Sequence, residues 1–185
     1  MTGGEETVAA TLAKALAAGD PEAFAALYDR LALRLLGAAR TMTGSSADAE
    51  DLVQDLFVDL ARGRGRLAAV ADLEAYVFTM LRNAVRRRGR RAALDRRTVV
   101  AIAAGRQASG SLTESPPELP DDALTAAVAA LPEAQREVVA LKIDAGLTFA
   151  EIAAVTGTSL NTAASRYRYA LDKLRTALAD REDGP

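Results

Sequence analysis

Apolar residues recur at steps of three and four along most of the chain, and runs of β-branched residues are nearly absent. Because this spacing is the period of an amphipathic helix, the pattern predicts an all-α protein. Asp20 followed by Pro21 supplies an N-cap and a proline at the first helical position, which predicts a helix to about Met42. A shorter helix over about residues 7–18, ended by Gly19, is expected before it. The longer helix should turn these side chains toward the core: Phe24, Leu27, Tyr28, Leu31 and Leu35.

The next predicted helix, ADAEDLVQDLFVDLAR, follows a turn over residues 43–46 in which Ser46 is the expected N-cap. Its apolar face consists of Leu52, Val53, Leu56, Phe57 and Leu60. Its acidic face is a ladder of carboxylates with one amide beside it: Asp48, Asp51, Asp55, Asp59 and Gln54. Like charges one turn apart destabilise a helix by about 0.2–0.5 kcal/mol per pair, so the ladder should have an offsetting use. Two interpretations stay open, a solvated surface face and a docking surface for a basic partner.

A further helix is predicted from about Asp72, and it ends in a cluster of arginines. Its apolar positions are Leu73, Tyr76, Val77, Met80, Leu81 and Val85. Residues 82–97 contain eight arginines and one acid, Asp95, which gives a net charge of +7. Asn83 lies among these arginines, and an amide there can read a base edge while guanidinium groups hold the phosphate backbone. The alternative is a solvated, arginine-rich helix end.

The composition changes over residues 93–122. This stretch begins as marginally helical sequence and then becomes rich in serine, glycine, proline and acidic residues, so we predict a linker. Periodicity returns with a helix to Leu131 and another that starts at Pro132. The inward positions of that second helix are Val138, Val139, Leu141 and Ile143. The predicted organisation is therefore a helical domain over residues 1–92, the linker, and a second helical domain over residues 123–185.

The stretch over residues 148–175 has the pattern of a helix-turn-helix with a long second helix. Thr148 and Glu151 have the spacing of a capping box, Gly157 can take the positive φ of a sharp turn, and Ser159 can cap the second helix. The buried stripe of that helix consists of Leu160, Ala163, Tyr167, Ala170 and Leu174, and its other side carries Thr162, Arg166, Tyr169 and Lys173. Polar and basic groups at an exposed helix start suit the DNA major groove. An ordinary helical hairpin with a solvated face has the same spacing and stays open as an alternative.

Composition narrows the function classes. The chain has no cysteine and no histidine, which removes thiolate nucleophiles, imidazole bases and the usual transition-metal ligands, so we expect no enzymatic activity, metal or cofactor. No apolar run approaches membrane-spanning length, and the start lacks the pattern of a signal peptide, so a cytoplasmic protein is expected. The formal net charge of −2 hides a segregation, because residues 1–60 carry ten acids and four bases while residues 82–97 are basic. Such separate faces can hold a basic protein surface and nucleic-acid phosphates.

Four stretches, taken in order, carry a resemblance to a known family. They are AFAALYDRLALRLL, ADAEDLVQDLFVDL, LEAYVFTMLRNAVRRR and ALPEAQREVVALKIDAGLTFAEIAAVTG, the last followed by SRYRYALDKLR. Over about residues 20–178 the chain resembles the extracytoplasmic-function group of bacterial sigma-70 RNA polymerase sigma factors. The resemblance implies two helical DNA-binding domains, called regions 2 and 4, that bind core RNA polymerase and direct it to promoters without catalysis of their own.

The resemblance also implies roles for individual residues. For docking on the largest catalytic subunit of core polymerase these are Asp48, Asp51, Gln54 and Asp55. For melting and reading the minus-10 promoter element they are Tyr76, Arg82, Asn83, Arg86 and Arg87. For the minus-35 element they are Asn161, Thr162, Ser165, Arg166, Arg168 and Lys173. The linker resembles the segment that threads the polymerase toward its RNA exit path.

Two departures from the family pattern bear on DNA contact. Ala163 and Ala164 stand where many members have a bulky aliphatic residue and then a lysine, which leaves the minus-35 specificity open. Leu73 and Tyr76 stand where the family often has phenylalanine and tryptophan. Fewer stacking surfaces predict weaker melting, because base–aromatic stacking contributes about 1–3 kcal/mol per base.

Three functions compete at the level of sequence. The leading one is a promoter-specificity factor with core RNA polymerase and promoter DNA as partners, an anti-sigma factor as a further partner, and a monomeric free state. A stand-alone helix-turn-helix regulator would bind operators as a dimer, and it would leave the acidic ladder unexplained. A helical scaffold or anti-sigma-like adaptor would bind proteins only, and its activity would survive replacement of Asn83 and Arg166 by alanine.

Overall fold

The computed structural model describes the backbone of residues 3–104 and 123–182. Over these ranges the chain forms α1 (Gly3–Ala18), α2 (Pro21–Thr43), α3 (Ser46–Arg62), a 3₁₀ helix (Arg64–Ala69), α4 (Leu73–Ala104), α5 (Ala123–Ala129), α6 (Glu133–Ile143), α7 (Phe149–Thr156) and α8 (Leu160–Glu182). The predicted all-α fold is confirmed. Among the described helices, none is long and apolar enough to cross a membrane.

Local sequence signals set the helix starts, with small shifts from the predicted positions. The Asp20 carboxylate caps α2 by accepting a backbone N–H two residues further on, at 2.9 Å. α3 is capped by Ser45 rather than Ser46, because the Ser45 hydroxyl oxygen accepts the Asp48 N–H at 3.2 Å. α1 begins at Gly3, earlier than the sequence predicts.

α4 continues beyond the arginine cluster that is predicted to end it. The helix spans 32 residues to Ala104, so residues 93–104 of the predicted linker are helical. Arginine, alanine and leucine are strong helix formers, and no proline occurs from residue 73 to residue 104, so no proline stops the helix in this stretch. The rest of the predicted linker, residues 105–122, lies outside the described residues. The domain boundaries stay predictions.

One buried core joins the N-terminal and C-terminal helices. From α2, α3 and α4 it takes Leu27, Leu31, Leu35, Leu52, Leu56, Val77, Phe78 and Leu81. From α6, the turn after it, α7 and α8 it takes Val138, Leu141, Leu147, Ile152, Val155 and Ala163. A smaller cluster within the C-terminal half consists of Leu131, Val139, Ala170 and Leu174. Since α2 packs against α6 and α4 packs against α7, these helix pairs bring the two halves together.

Three apolar residues that the pattern assigns to the core are exposed instead. The exposed fractions are 52% for Tyr28, 61% for Ile143 and 51% for Leu160. Ile143 is the last residue of α6 and Leu160 is the first of α8. At a helix end the apolar stripe extends beyond the helices that cover it, so its terminal side chain is exposed. Tyr28 packs on Phe57 at the surface instead, with ring centroids 4.9 Å apart. Phe78, which the predicted stripe of α4 omits, is fully buried.

The helix-turn-helix has the predicted caps and turn. The Thr148 hydroxyl oxygen accepts the Glu151 N–H at 3.3 Å, and the Glu151 carboxylate accepts the Thr148 N–H at 2.6 Å, which completes a capping box. Gly157 ends α7 with a φ of 65°. The Ser159 hydroxyl oxygen then accepts the Thr162 N–H at 3.1 Å and caps α8. These contacts fix the angle at which α8 leaves the turn.

Candidate nucleic-acid interface

An open groove of about 1110 Å³ runs between α3 and α4. Its α4 wall includes Tyr76, Met80, Asn83, Arg87, Arg88 and Arg91. Its opposite wall includes Leu52, Asp55, Val58, Asp59, Arg62 and Arg66. The groove is larger than the roughly 300–1,000 Å³ of small-molecule pockets, so its size suits an extended chain.

The groove combines the side chains that a single-stranded nucleic acid requires. Guanidinium groups can hold phosphates, while an aromatic ring and an amide can stack on bases and bond to their edges. Tyr76 is half-buried and Asn83 is exposed, and both line the groove. Of the residues predicted for the minus-10 element, the groove brings together Tyr76, Asn83 and Arg87.

Arg62 and Arg66 extend the basic lining, and they are absent from the residues predicted for a site. Both belong to residues 62–66, an alternating run of arginine and glycine that leads from α3 into the 3₁₀ helix. Glycines between arginines mark a chain that can bend tightly while it carries positive charge, and that pattern is a signal for phosphate contact.

The acidic ladder of α3 lies beside the arginines of α4. Arg88 Nη2 is 2.5 Å from Asp48 Oδ1 and 3.7 Å from Asp51 Oδ2. The Asp51 side chain is nevertheless 64% exposed, and Gln54 and Asp55 are exposed as well. One guanidinium therefore offsets part of the like-charge repulsion along the ladder, while exposed carboxylates remain for a partner.

Arg82 and Arg86 do not line the groove, because they pair with acids of α6. Arg82 Nε donates to a carboxylate oxygen of Glu137, and the two side chains are only 14% and 4% exposed. Arg86 Nη2 lies 3.3 Å from Glu137 Oε2, and Arg86 Nε lies 3.3 Å from Glu133 Oε1. The structure thus divides the predicted minus-10 residues into three in the groove and two at the contact with α6.

Glu137 and Arg34 are charged residues at the contact between the two halves that the sequence analysis missed. Glu137 is 3% exposed and lies one helical turn before the buried Leu141. Arg34 Nε donates to the Ala145 carbonyl at 2.8 Å, and Arg34 Nη2 donates to Glu74 Oε1 at 2.5 Å. Glu137 and Arg34 each lie within or next to the apolar stripe of their helix. A charged residue at such a position is the sequence signal that could have identified both residues.

The start of α7 holds a carboxylate in its charged form. The Thr148 hydroxyl donates to Glu151 Oε2 at 2.7 Å, and this bond, followed by that from the Thr148 N–H, lowers the pKa of Glu151 below its ordinary 4.5. Burial opposes this shift, whereas attraction to the charges of Arg34 and Lys142 adds to it. The capping box is therefore coupled electrostatically to an arginine of α2.

The first turns of α8 present most of the residues predicted for the minus-35 element. Those that are exposed or half-buried near the helix start are Asn161, Thr162, Ser165, Arg166 and Arg168. Lys173 lies roughly 18 Å beyond Asn161 at 1.5 Å per residue, in a shallow groove with Gln135 and Tyr169, so it does not join this group. Ala163 is fully buried, which means that it packs under the turn instead of facing a ligand.

Two families match the two halves of the chain. Residues 27–94 match Sigma-70 region 2, and residues 121–174 match Sigma-70, region 4. The RNA polymerase sigma factor CarQ of Myxococcus xanthus is 32% identical over 169 residues, which cover 89% of this chain and 94% of CarQ. Other curated relatives, at 27% to 30% identity, are named ECF RNA polymerase sigma factors. The chain belongs to the extracytoplasmic-function group of sigma-70 factors.

This sigma factor is similar along most of its length to solved sigma-factor structures. The structure of CnrH in complex with the cytosolic domain of CnrY has a TM-score of 0.65 and 29% identity, and the match covers 95% of this sigma factor and 98% of CnrH. The sigma factor RpoE of Bartonella quintana, solved in complex with the anti-sigma factor NepR, has a TM-score of 0.61 and 25% identity, with 80% and 90% covered.

The family establishes what the sigma factor does. It binds core RNA polymerase and directs it to the minus-10 and minus-35 promoter elements, and so initiates transcription. A stand-alone helix-turn-helix regulator is not favoured. The groove between α3 and α4 falls within the region 2 match, and the helix-turn-helix falls within the region 4 match.

Proposed function

We propose that the groove between α3 and α4 holds the unpaired non-template strand of the minus-10 element. The observation that carries this proposal is that Tyr76 and Asn83 share one open groove with arginines from both of its walls. Unstacking a base costs a few kcal/mol, and stacking on an aromatic ring together with phosphate contacts recovers that cost. In this assignment Tyr76 and Asn83 contact bases, while Arg62, Arg66 and Arg87 hold phosphates.

The minus-35 element is assigned to the first turns of α8. The Asn161 amide and the Arg168 guanidinium are exposed there, and such groups reach base edges and phosphates when a helix enters the major groove. Ala163 is buried and Ala164 offers only a methyl group, so discrimination between sequences rests on the polar residues around them.

The surface that docks on core polymerase is assigned to the acidic side of α3. Asp51, Gln54 and Asp55 are exposed on it, and Asp48 contributes the same charge while it pairs with Arg88. A basic partner surface would relieve the like-charge repulsion that Arg88 offsets only in part.

Four broader properties belong to this proposal. An anti-sigma factor is a partner of this sigma factor, which the similarity to the Bartonella quintana complex supports. The protein catalyses no reaction itself, because its role is to position the polymerase on DNA. It acts in the cytoplasm, where polymerase and promoters meet, and it is monomeric when free.

Matched replacements of two asparagines test the groove. With core polymerase added, Asn83→Ala should weaken binding to a fork-junction DNA whose minus-10 non-template strand is unpaired by about 1–3 kcal/mol, the value of a good base contact. Asn161→Ala makes the same chemical change at the other DNA site, and it should weaken binding only when the DNA carries a minus-35 duplex. Unchanged fork-junction binding by Asn83→Ala would remove the groove from promoter recognition.

A further inference from the structure

The arginine-glycine segment over residues 62–66 contacts two different parts of the molecule. Arg62 and Arg66 line the groove between α3 and α4. The Arg64 side chain lies instead against the turn between α1 and α2, where a Cβ built on Gly19 would be 2.9 Å from Arg64 Nε and 3.3 Å from Arg64 Cδ. The segment is therefore held by α1 and its turn on one side and open to the groove on the other.

We propose that α1 and the turn after it position the arginine-glycine segment for DNA, with Gly19, Arg64 and Leu67 as positioning residues. We call their contact the anchor, which consists of the Arg64 side chain on Gly19 and the packing of the 3₁₀ helix beside α1. The anchor keeps Arg62 and Arg66 directed into the groove and makes no DNA contact itself. It rests on the proposed function, because those two arginines are assigned there to phosphates of the unpaired strand.

The first argument is that the 3₁₀ helix over Arg64–Ala69 has little to hold its shape locally. Runs of this helix type longer than three or four residues are uncommon, because their hydrogen-bond geometry is poor. This one has six residues, and Gly63 and Gly65 make the backbone at its start permissive. Among the described residues, no side chain caps it with a hydrogen bond. Its position must therefore come from packing against other elements.

The second argument is that α1 supplies this packing. Leu67 of the 3₁₀ helix and Leu16 of α1 are both fully buried and belong to the same core. α1 and the 3₁₀ helix are in direct contact. The match to Sigma-70 region 2 begins at residue 27, so α1 lies outside it. A helix outside the matched region thus supports one wall of the groove.

The third argument is that the turn after α1 is fixed where Arg64 meets it. The Gly19 N–H donates to the Leu16 carbonyl at 2.9 Å, and the Asp20 N–H donates to the Ala15 carbonyl at 3.1 Å. With the Gly19 φ of 84°, these two bonds form a Schellman motif. Glycine serves this turn twice, because it takes the positive φ and leaves the space that the Arg64 side chain fills.

A matched pair of glycine replacements tests the anchor. Gly19→Ala places a methyl group where the Arg64 side chain lies, so that side chain must move. Gly44→Ala is the control, because Gly44 ends α2 with a φ of 73° and a new Cβ there would have no neighbour within 4 Å. Both variants should unfold at a lower temperature than the parent, since both strain a left-handed turn. Only Gly19→Ala should change DNA binding.

The dependence of DNA binding on salt separates positioning from a general loss of structure. Each phosphate contact to a single strand contributes about 0.7 to the slope of log K against the logarithm of the salt concentration. With core polymerase added, Gly19→Ala should lower this slope for fork-junction DNA by about 1.4, the value of two contacts. The parent's advantage in affinity would then fall about sevenfold between roughly 50 and 200 mM salt. A smaller folded fraction would reduce the amount of complex and leave the slope unchanged.

A combined variant shows whether the effect passes through the two arginines of the groove. Arg62→Gln together with Arg66→Gln should lower the slope by the same amount as Gly19→Ala. Adding Gly19→Ala to this pair should lower it no further, because residues that act through one another are not additive. If Gly19→Ala does not fold, Arg64→Gln takes its place in the same comparison, since it removes the guanidinium of the anchor and leaves the turn intact.

Two outcomes would overturn the anchor while the groove assignment stands. One is an unchanged slope for Gly19→Ala when the Arg62→Gln, Arg66→Gln pair lowers it. The other is a further loss of slope when all three replacements are combined, which would mean that the anchor contacts DNA directly. An unchanged slope for the arginine pair itself would remove both arginines from the proposed function, and the anchor with them. Asn83→Ala reports separately on base contact in the groove.

Discussion

Arg34 makes two kinds of contact at once, a hydrogen bond to the Ala145 carbonyl and an ion pair with Glu74. Its guanidinium carbon also lies 5.4 Å from the centroid of the Phe78 ring, within the range of a cation–π contact. Ions leave water at a cost of several kcal/mol, and a pair recovers that cost only when its geometry is good. Arg34, Glu137 and their partners therefore favour one packing of the two halves, because a shifted packing would leave charges buried and unpaired.

This arrangement predicts different effects for two arginines that share Glu74. Arg34→Ala should lower the free energy of unfolding by about 1–3 kcal/mol, because it leaves the Ala145 carbonyl without its donor. Arg30→Ala should lower it by less than about 1 kcal/mol, since Arg30 makes one surface pair at 3.0 Å and its side chain is 56% exposed. Urea unfolding of both variants measures the difference, and equal losses would show that the Ala145 bond contributes nothing.

At the scale of elements, signals carried by neighbouring residues were readable from the sequence. The N-cap at Asp20, the capping box at Thr148 and the left-handed turn at Gly157 each depend on a few adjacent residues. The pairing of Arg82 with Glu137 joins residues 55 positions apart, and no periodic pattern encodes such a partner. The same limit applies to the length of α4, where strong helix formers continue through sequence that also resembles a linker.

The helical spacing of residues in α4 nevertheless indicates which of them share a face, and so predicts part of the site. Arg82 and Arg86 form one row at a spacing of four, and Asn83 and Arg87 form the next row, about 100° around the helix. In the structure the row with Arg82 pairs with acids of α6, whereas the row with Asn83 and Arg87 lines the groove. Grouping these arginines by charge alone hid a division that their positions already contained.

The capping box of α7 predicts a pH-dependent contribution to stability. The pKa of Glu151 is lower in the folded protein than its ordinary 4.5, so its charged form stabilises the fold above that pH. Glu151→Ala should lower the free energy of unfolding at pH 7 by about 0.5–2 kcal/mol. The difference from the parent should shrink as the pH falls through the lowered pKa.

Urea unfolding at a series of pH values measures this effect. Glu151→Gln is the control, because its amide can still accept the Thr148 N–H but does not titrate. A parent-to-alanine difference that stays constant from pH 7 to about pH 3 would contradict a stabilising charge at this position.

Two glycines should respond to alanine with opposite signs. Gly157→Ala should lower the free energy of unfolding by about 1–2 kcal/mol, because a φ of 65° disfavours a residue with a Cβ. Gly89→Ala should raise it by about 0.5–1 kcal/mol, since Gly89 lies inside α4. Neither new Cβ would have a neighbour within 4 Å, so thermal unfolding of the two variants reports the backbone alone. Changes of the same sign in the free energy of unfolding of the two variants would refute this explanation.

At the scale of the whole molecule, the surfaces that we propose for core polymerase and for the minus-10 DNA lie on two helices that face each other. α3 carries the exposed acids and α4 carries the arginines, and the groove lies between them. Arg88 bridges the two by pairing with Asp48 and Asp51. A change of charge on α3 therefore has to be judged by its effect on polymerase and on DNA separately.

Two charge reversals on α3 test where core polymerase docks. Asp51→Arg should abolish stoichiometric pull-down of core RNA polymerase, because it places a like charge against the basic partner surface expected there. Glu50→Arg changes the net charge equally at another exposed position of the same helix, and it should leave the pull-down intact. Circular dichroism checks that both variants stay helical. Equal binding by the two variants would move the docking surface elsewhere.

The length of α4 also affects how far apart the two regions can reach. A helical residue advances 1.5 Å, whereas an extended one advances up to about 3.3–3.6 Å, so residues 93–104 span roughly 18 Å instead of about 40 Å. Residues 105–122 are left to join the regions, and a shorter tether raises the effective concentration of the second site while it narrows the separations that can be bridged. We therefore expect the length of this helix to restrict the sigma factor to promoters with a narrow range of DNA lengths between their two elements.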